Sequence, residues 1–163
     1  MAGASRASTR LSRIAENEIG ALEQMILRSK AHWGYDAQMM AIMARVLRLD
    51  RAAIRSGRAI AAWMGEQAVG VAQISEPYRD ERGAAVELEL LFIDPVAIGS
   101  GLGRRLYTWA LDQVHTSDAA RLGILSDPFA RPFYAAMGAV FIEDRPSDAV
   151  PGRTLPWMEH RLG

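Results

Sequence analysis

The chain has 163 residues, 50% of them hydrophobic, and 19 Lys+Arg balance 19 Asp+Glu for a formal net charge of zero. This size and apolar content suit one ordinary domain with a buried core and exclude a disordered chain, while the missing basic excess argues against a nucleic-acid binder. The absence of cysteine excludes disulfides, thiolate nucleophiles and thiolate-bound zinc, and the scattered His32, His115 and His160 form no metal-ligand spacing.

In chain order, the opening MAGASRASTR is small and basic with no apolar segment behind it. It reads as a loose tail over residues 1–8, not as a secretory signal. No apolar run approaches the ~20 residues that span a bilayer, so the expectation is a cytoplasmic protein without a membrane partner. Residues 17–30 place Ile19, Leu22, Met25, Ile26 and Leu27 at helical spacing, with Asn17 as the expected cap. A connector follows, KAHWGYD, with His32, Trp33 and Tyr35 within four positions. It is either an aromatic clasp between two helices or part of a pocket wall. Asp36 then caps a second helix, with Met39, Met40, Met43, Val46 and Leu47 on its buried side. Its methionines fill a core, the simpler reading, or line an adaptable pocket.

Residues 60–64 and 68–74 read as a hairpin around Gly65. Residues 86–93, VELELLFI, put Val86, Leu88 and Leu90 on one face of a strand and Glu87 and Glu89 on the other. The strand then turns continuously apolar, as at the centre of a sheet. Leu102, Leu106, Trp109, Ala110 and Val114 mark a helix face, and residues 121–125 a strand. Asp127 is the expected cap of a helix over 128–137, ended by Gly138. Residues 139–142 begin a strand, 144–153 form a loop, and 155–162 make a final edge strand with Pro156 near its start. The order predicts one α/β domain over residues 1–163, with helices on both faces of a central sheet.

The segment IDPVAIGSGLGRRL carries Gly99, Gly101 and Gly103 between a strand and a helix. The spacing is not the dinucleotide fingerprint GxGxxG, and Arg104-Arg105 stands where a Walker A loop needs Lys-Ser/Thr. Two readings remain open from the residues alone. One is a phosphate cradle of helix-start amides supplemented by Arg104 and Arg105, and the other is a turn that needed glycines.

Residues 98–103, Ile-Gly-Ser-Gly-Leu-Gly, resemble the Gln/Arg-x-x-Gly-x-Gly/Ala signature of the GCN5-related N-acetyltransferases, the GNAT superfamily, with isoleucine at its first position. LELLFIDP resembles the family's fourth strand and its exit, and SDPFARPFYAAMGAVF its late strand-helix-strand motif. SKAHWGYD and PGRTLPWMEHRL resemble a bacterial branch of the same superfamily. The resemblance implies a mixed, mostly antiparallel sheet flanked by helices and splayed between the family's fourth and fifth strands. It implies acetyl transfer from acetyl-coenzyme A to a primary amine by direct transfer in a ternary complex, with no metal. The cofactor contacts it implies are Leu91, Phe92 and Ile93 along the pantetheine arm, and Ile98, Gly99, Ser100, Gly101, Leu102, Gly103 and Arg104 at the pyrophosphate. Asp127 and Phe133 complete that set.

By the same resemblance Tyr134 is the acid that protonates the departing thiolate, and an unperturbed phenol is protonated at neutral pH, as an acid must be. Glu89 is the expected base, acting directly or through water, with Glu87 on the same face as the alternative. Trp33 and Tyr35 would wall the acceptor site, with His32 beside them. Arg153 and Trp157 belong to a region that closes the acceptor site or builds a subunit interface. The acceptor is a small-molecule or peptide amine, and a homodimer is the family's common assembly. A non-catalytic acyl-coenzyme A binding or sensory module is the competing account.

Overall fold

The computed structural model describes residues 8–163, so residues 1–7 of the expected tail lie outside the described residues. The elements, in order, are β1 (Thr9–Ser12), α1 (Ile19–Ala31), α2 (Ala37–Val46), α3 (Arg51–Arg55), β2 (Ala59–Met64), β3 (Gln67–Ile74), β4 (Tyr78–Asp80), β5 (Gly83–Ile93), α4 (Leu102–Thr116), β6 (Arg121–Leu125), α5 (Arg131–Ala136), β7 (Val140–Pro146) and β8 (Thr154–Arg161). The sheet runs β1-β2-β3-β5-β6-β8-β7, with the short β4 pairing off β5. Every pairing is antiparallel except β5 with β6. This is the mixed, mostly antiparallel sheet that the motif order implied, and β5 is the strand matched to the family's fourth.

The helices pack on opposite faces. Leu22, Met25 and Ile26 of α1 are fully buried against Ala61, Val71 and Leu90. On the other face, Leu102 and Leu106 of α4 meet Ala62 and Ala72. Burying each such leucine contributes about 1.5–3 kcal/mol. Small residues let α4 approach the sheet closely: a Cβ on Gly70 would lie 3.0 Å from Leu102 Cδ2 and 3.1 Å from Leu106 Cδ1.

Several expectations are corrected. Directly after the expected tail, Thr9–Ser12 form a strand that the sequence did not predict, with Thr9 and Arg10 paired to Met64 and Trp63. Asn17 caps nothing; the chain enters α1 through a 3-10 turn in which the Glu18 carboxylate accepts the Ala15 N–H at 2.8 Å. Asp36 does cap α2, accepting from the Met39 N–H at 2.8 Å. Asp127 does not cap α5, which starts at Arg131 after a separate turn. Its carboxylate closes that turn by accepting the Phe129 N–H at 2.8 Å. β8 is not an edge strand: it lies between β6 and β7, and the edge falls to β7. The short elements α3 and β4 left no periodic signal in the sequence, being five and three residues long.

The face assignment of β5 also changes within the strand. Leu88 pairs with Ile74 and Leu90 with Gln73, so Glu89 is an extra residue on β5, a β-bulge. Val86 and Leu88 pack with Tyr107, Ala110 and Val114 of α4. Leu90 instead joins the α1 cluster, while Leu91 and Ile93 turn to the α4 side. Period-two alternation carried through the bulge puts Leu90 on the wrong face.

β5 pairs with β6 only from Ala85 to Leu88. Beyond that, β6 stays with β8, and the Ser126 N–H donates to the Pro156 carbonyl at 2.8 Å. The two parallel strands therefore splay apart, and residues 89–93 keep a strand partner only on the β3 side.

Candidate active site

A groove of about 690 Å³ opens where β5 and β6 diverge. Leu91, Phe92 and Ile93 line it, with backbone groups on the β6 side that no strand satisfies. At the strand exit the Asp94 carboxylate accepts the Val96 N–H at 3.0 Å and pairs with Arg28 Nε at 2.9 Å, which fixes the turn into α4. Gly99 and Gly101 then adopt left-handed backbone, with φ of 80° and 85°. A Cβ at either position would meet no atom within 4 Å, so the backbone conformation, not space, demands glycine there. Gly103 is different: a Cβ would lie 3.0 Å from Ile93 Cδ1 and 3.2 Å from Phe133 Cε2, so glycine is what seats α4 against β5 and α5.

The amides of this turn divide into two groups. Those of Ile98 and Ser100 are used inside the turn, and that of Leu102 leans on Ser100 Oγ at 3.3 Å. Those of Gly99, Gly101, Gly103 and Arg104 meet no acceptor among the described residues. Unspent N–H groups at the start of a fifteen-residue helix form an anion-binding surface. Arg104 lines the groove beside them. Arg105 does not: its Nη1 donates to the Thr9 carbonyl at 3.1 Å, which ties α4 to β1. Ile98 is 54% exposed at this mouth.

Tyr134 lines the groove from α5 and is buried beside Tyr107 and Phe133. Burial, together with the neighbouring Tyr107 and Asp127, pushes its phenol well above the ordinary value, so it stays protonated at neutral pH. Glu87 and Glu89 both line the groove from β5. Burial, then the charge of Glu89, raises the Glu87 carboxyl above its ordinary value, against the opposing Arg145. Glu89 is exposed and accepts from Gln73 Nε2 at 3.3 Å.

A polar knot holds the other side of the groove. Lys30, nearly buried in the last turn of α1, donates from Nζ to Asp127 Oδ2 at 2.6 Å. The Tyr35 hydroxyl donates to the same oxygen at 2.5 Å and accepts from Arg153 Nη2 at 3.1 Å. Burial pushes the Asp127 carboxyl up, but the bonds from Lys30 and Tyr35 outweigh it and hold it below its ordinary value. Tyr35 is pushed up to about 12 by burial and by Asp127. Trp33 lines the groove and stacks on Phe129, with ring centroids 5.3 Å apart and planes 5° from parallel. His32 does not line the groove; it is exposed and meets Trp33 edge-on at 5.3 Å.

The splayed strands, the free amides and the motif order agree with what known proteins share. A family profile described as an acetyltransferase (GNAT) domain matches residues 40–158. The chain belongs to that family. Its fold matches a PaiA N-acetyltransferase of Thermoplasma acidophilum, solved with coenzyme A, at a TM-score of 0.76 and 12% identity, over 95% of this chain and 99% of the other. It matches a GCN5-related N-acetyltransferase of Rhodopseudomonas palustris at 0.75 and 18%, over 98% and 100%. N-acetylglutamate synthase of Neisseria gonorrhoeae, solved with coenzyme A and N-acetyl-glutamate, matches at 0.66 and 16%, over 98% of this chain and 36% of that one. No curated protein sequence matches this chain.

Within this GNAT chain, the groove brings together most of the residues singled out from the sequence and adds others. Met39, Ile42, Met43, Val46 and Leu47 of α2 and its C-terminal end line it, and of these only Met43 is fully buried. For Met39 and Met43 the pocket-wall reading therefore replaces the core reading, while Met40 belongs to neither the groove lining nor a core cluster. Lys30 had no signal of its own, because a lysine at the end of a helix reads as a solvated residue favourable to the helix dipole. Tyr107 also went unremarked; it is fully buried, and its hydroxyl shares a 2.9 Å hydrogen bond with His160 Nδ1. Among the described residues no group of three His, Asp or Glu side chains is arranged to hold a metal, and no helix is long and apolar enough to cross a membrane.

Proposed function

We propose that this GNAT chain transfers an acetyl group from acetyl-coenzyme A to a primary amine, directly and without a covalent enzyme intermediate. The observation that carries the reading is the continuity of two unspent backbone surfaces in one groove: the amides of Gly99, Gly101, Gly103 and Arg104, and the open side of β5 at Leu91–Ile93. The first suits a pyrophosphate, and the second suits the amide-bearing pantetheine arm. The complexes of the Thermoplasma and Neisseria proteins with coenzyme A support the same cosubstrate here. Phe133 and Gly103 seat the helix over that arm. Absence of cysteine favours direct transfer.

Acetyl-coenzyme A supplies the activated thioester; the protein manages protons. The acceptor ammonium must lose a proton before its nitrogen can attack. Glu87 and Glu89 form the carboxylate pair for that task, and the electrostatic case is stronger for Glu87, whose raised pKa makes it the better base near neutrality. Glu89 acts by keeping that pKa up and by holding water or ammonium at the mouth. Tyr134 Oη holds a proton for the leaving sulfur and recovers it afterwards. Summed, an ammonium and a thioester become an amide, a thiol and one proton.

The test is calorimetric titration with acetyl-coenzyme A, with ADP as the control. Saturable binding much tighter than that of ADP, followed by thiol release with an amine panel, is the expected result. Binding without turnover on any amine would favour an acyl-coenzyme A sensing module. No binding by folded protein would leave the glycine segment a structural turn.

A further inference from the structure

The charges on the acceptor side of the groove are not matched by one another. Glu87 and Glu89 form no ion pair among the described residues, although both line the groove and Glu87 is largely withdrawn from water. Arg153 also lines the groove. Its guanidinium bonds only the Tyr35 hydroxyl, lies 5.5 Å from that ring's centroid, and pairs with no carboxylate among the described residues. The nearby Asp127 is already taken by Lys30 and Tyr35. The groove thus carries carboxylates with no direct ion-pair partner, Glu87 feeling only the more distant Arg145, and a guanidinium with no carboxylate partner among the described residues. Partly desolvated charges gain most from a ligand that completes each of them. Met39, Ile42, Met43 and the 51%-exposed Val46 of α2 give this side an apolar wall, joined by Val150 and Leu155 from the chain leading into β8, while Ser147 and Asp148 of the same segment add polar groups and a further carboxylate near Glu87.

Building on the acetyl-transfer reading, we propose that the acceptor is a free amino acid with an apolar side chain. Its ammonium pairs with Glu87 and Glu89, its carboxylate with Arg153, and its side chain lies on the α2 wall. The product is the N-acetyl amino acid, with coenzyme A thiol and one proton released. The flexible methionines accommodate several side chains of similar size, so the class is apolar amino acids and not one of them. Other amines match less of the surface. A polyamine satisfies the glutamates but sets a further cation against Arg153 and a charged chain on an apolar wall. An aryl- or alkylamine leaves Arg153 without an anion. The amino terminus of a peptide carries no carboxylate on the residue that reacts.

The experiment measures thiol release from acetyl-coenzyme A with L-phenylalanine, L-leucine and L-methionine, against phenylalaninamide, phenethylamine and spermidine. The cysteine-free chain contributes no thiol background. The expected kcat/KM for phenylalanine exceeds that for its amide and for phenethylamine by about 10-fold or more, the worth of one charge-assisted hydrogen bond. Arg153→Gln should lower kcat/KM for the carboxylate-bearing substrates alone and bring phenylalanine, its amide and phenethylamine within about twofold of one another. Arg153→Lys should retain part of the preference, which separates charge recognition from damage to the Tyr35 contact. Phenethylamine or spermidine used as well as phenylalanine, or a preference that survives Arg153→Gln, overturns the proposal. Titration with acetyl-coenzyme A on the same preparations separates the two readings. Intact binding with no amino-acid preference overturns the acceptor class alone, whereas absent binding overturns the transferase reading itself.

Discussion

The two sides of the groove are made of different material. Around residues 99–104 the functional groups are backbone amides, four of them unspent within a six-residue stretch whose glycines set the geometry. Around Asp127 they are side chains, drawn from α1, the α1–α2 connector, β5, the turn after β6 and the loop before β8. A backbone-built surface tolerates changes of side chain but not of φ. A side-chain-built surface tolerates neither loss of a partner nor a change of charge, yet it can be retuned for a new acceptor one residue at a time. On the proposed reading, the common cosubstrate falls to the first and the particular acceptor to the second.

Four measurements would break or sharpen that contrast. The largest effect is expected at Tyr134, where the two surfaces meet. Tyr134→Phe should lower kcat roughly 10²–10⁴-fold, the usual worth of a positioned acid, while acetyl-coenzyme A affinity stays within about twofold because the ring remains. Unchanged kcat with a reactive amine would remove Tyr134 from the acid role. Next is Lys30→Met, which leaves the Asp127 carboxylate without its ammonium and held only by Tyr35 and the Phe129 N–H; urea unfolding should show a loss of about 2–4 kcal/mol, somewhat less than for a buried charge left without any partner. If stability holds, Asp127 is not dependent on Lys30 and the knot is looser than its distances imply.

Gly101→Val should be milder and should strike the other side. Forcing a β-branched residue into the left-handed region costs on the order of 1–2 kcal/mol, so acetyl-coenzyme A binding should weaken about 10-fold by calorimetry. Wild-type affinity in a folded variant would mean that the amides are not the cradle. The smallest effect is one of pH. A base must be deprotonated, so kcat/KM should fall as pH drops through the Glu87 pKa, above the ordinary carboxylate range. Glu89→Gln removes a charge that raises this pKa, so the acid limb should move to lower pH. A limb that stays put, or one that survives Glu87→Gln, would assign the proton to another group.

What the sequence made legible follows the same division. The glycine turn into α4 was readable because its information is local: three glycines, a strand before and a helix after. The strand faces were readable as far as Leu88, where strict alternation held, and failed at the bulge, which has no residue signature in LELLF. The polar knot was legible only in pieces. Asp127 was visible as a helix-capping carboxylate, a role it does not have, and Tyr35 as one of a cluster of connector aromatics, although it does not itself line the groove. Their bond crosses 92 positions, and that of Lys30 to Asp127 crosses 97. No periodicity or spacing rule carries information over such separations; only the completed sheet brings these groups together.

The extra residue at Glu89 gives β5 a reading frame. Upstream of it the α4 side is served by Val86 and Leu88; downstream, by Leu91 and Ile93, one position out of step. Replacing any one of these apolar side chains by another of similar volume is a local repair job for its neighbours. Deleting Glu89 would only iron out the bulge and leave Leu91 and Ile93 on the α4 side, whereas inserting one more residue between 89 and 93 turns the rest of the strand inside out. This stretch should therefore tolerate changes of spelling, and even loss of the bulge residue, far better than an insertion.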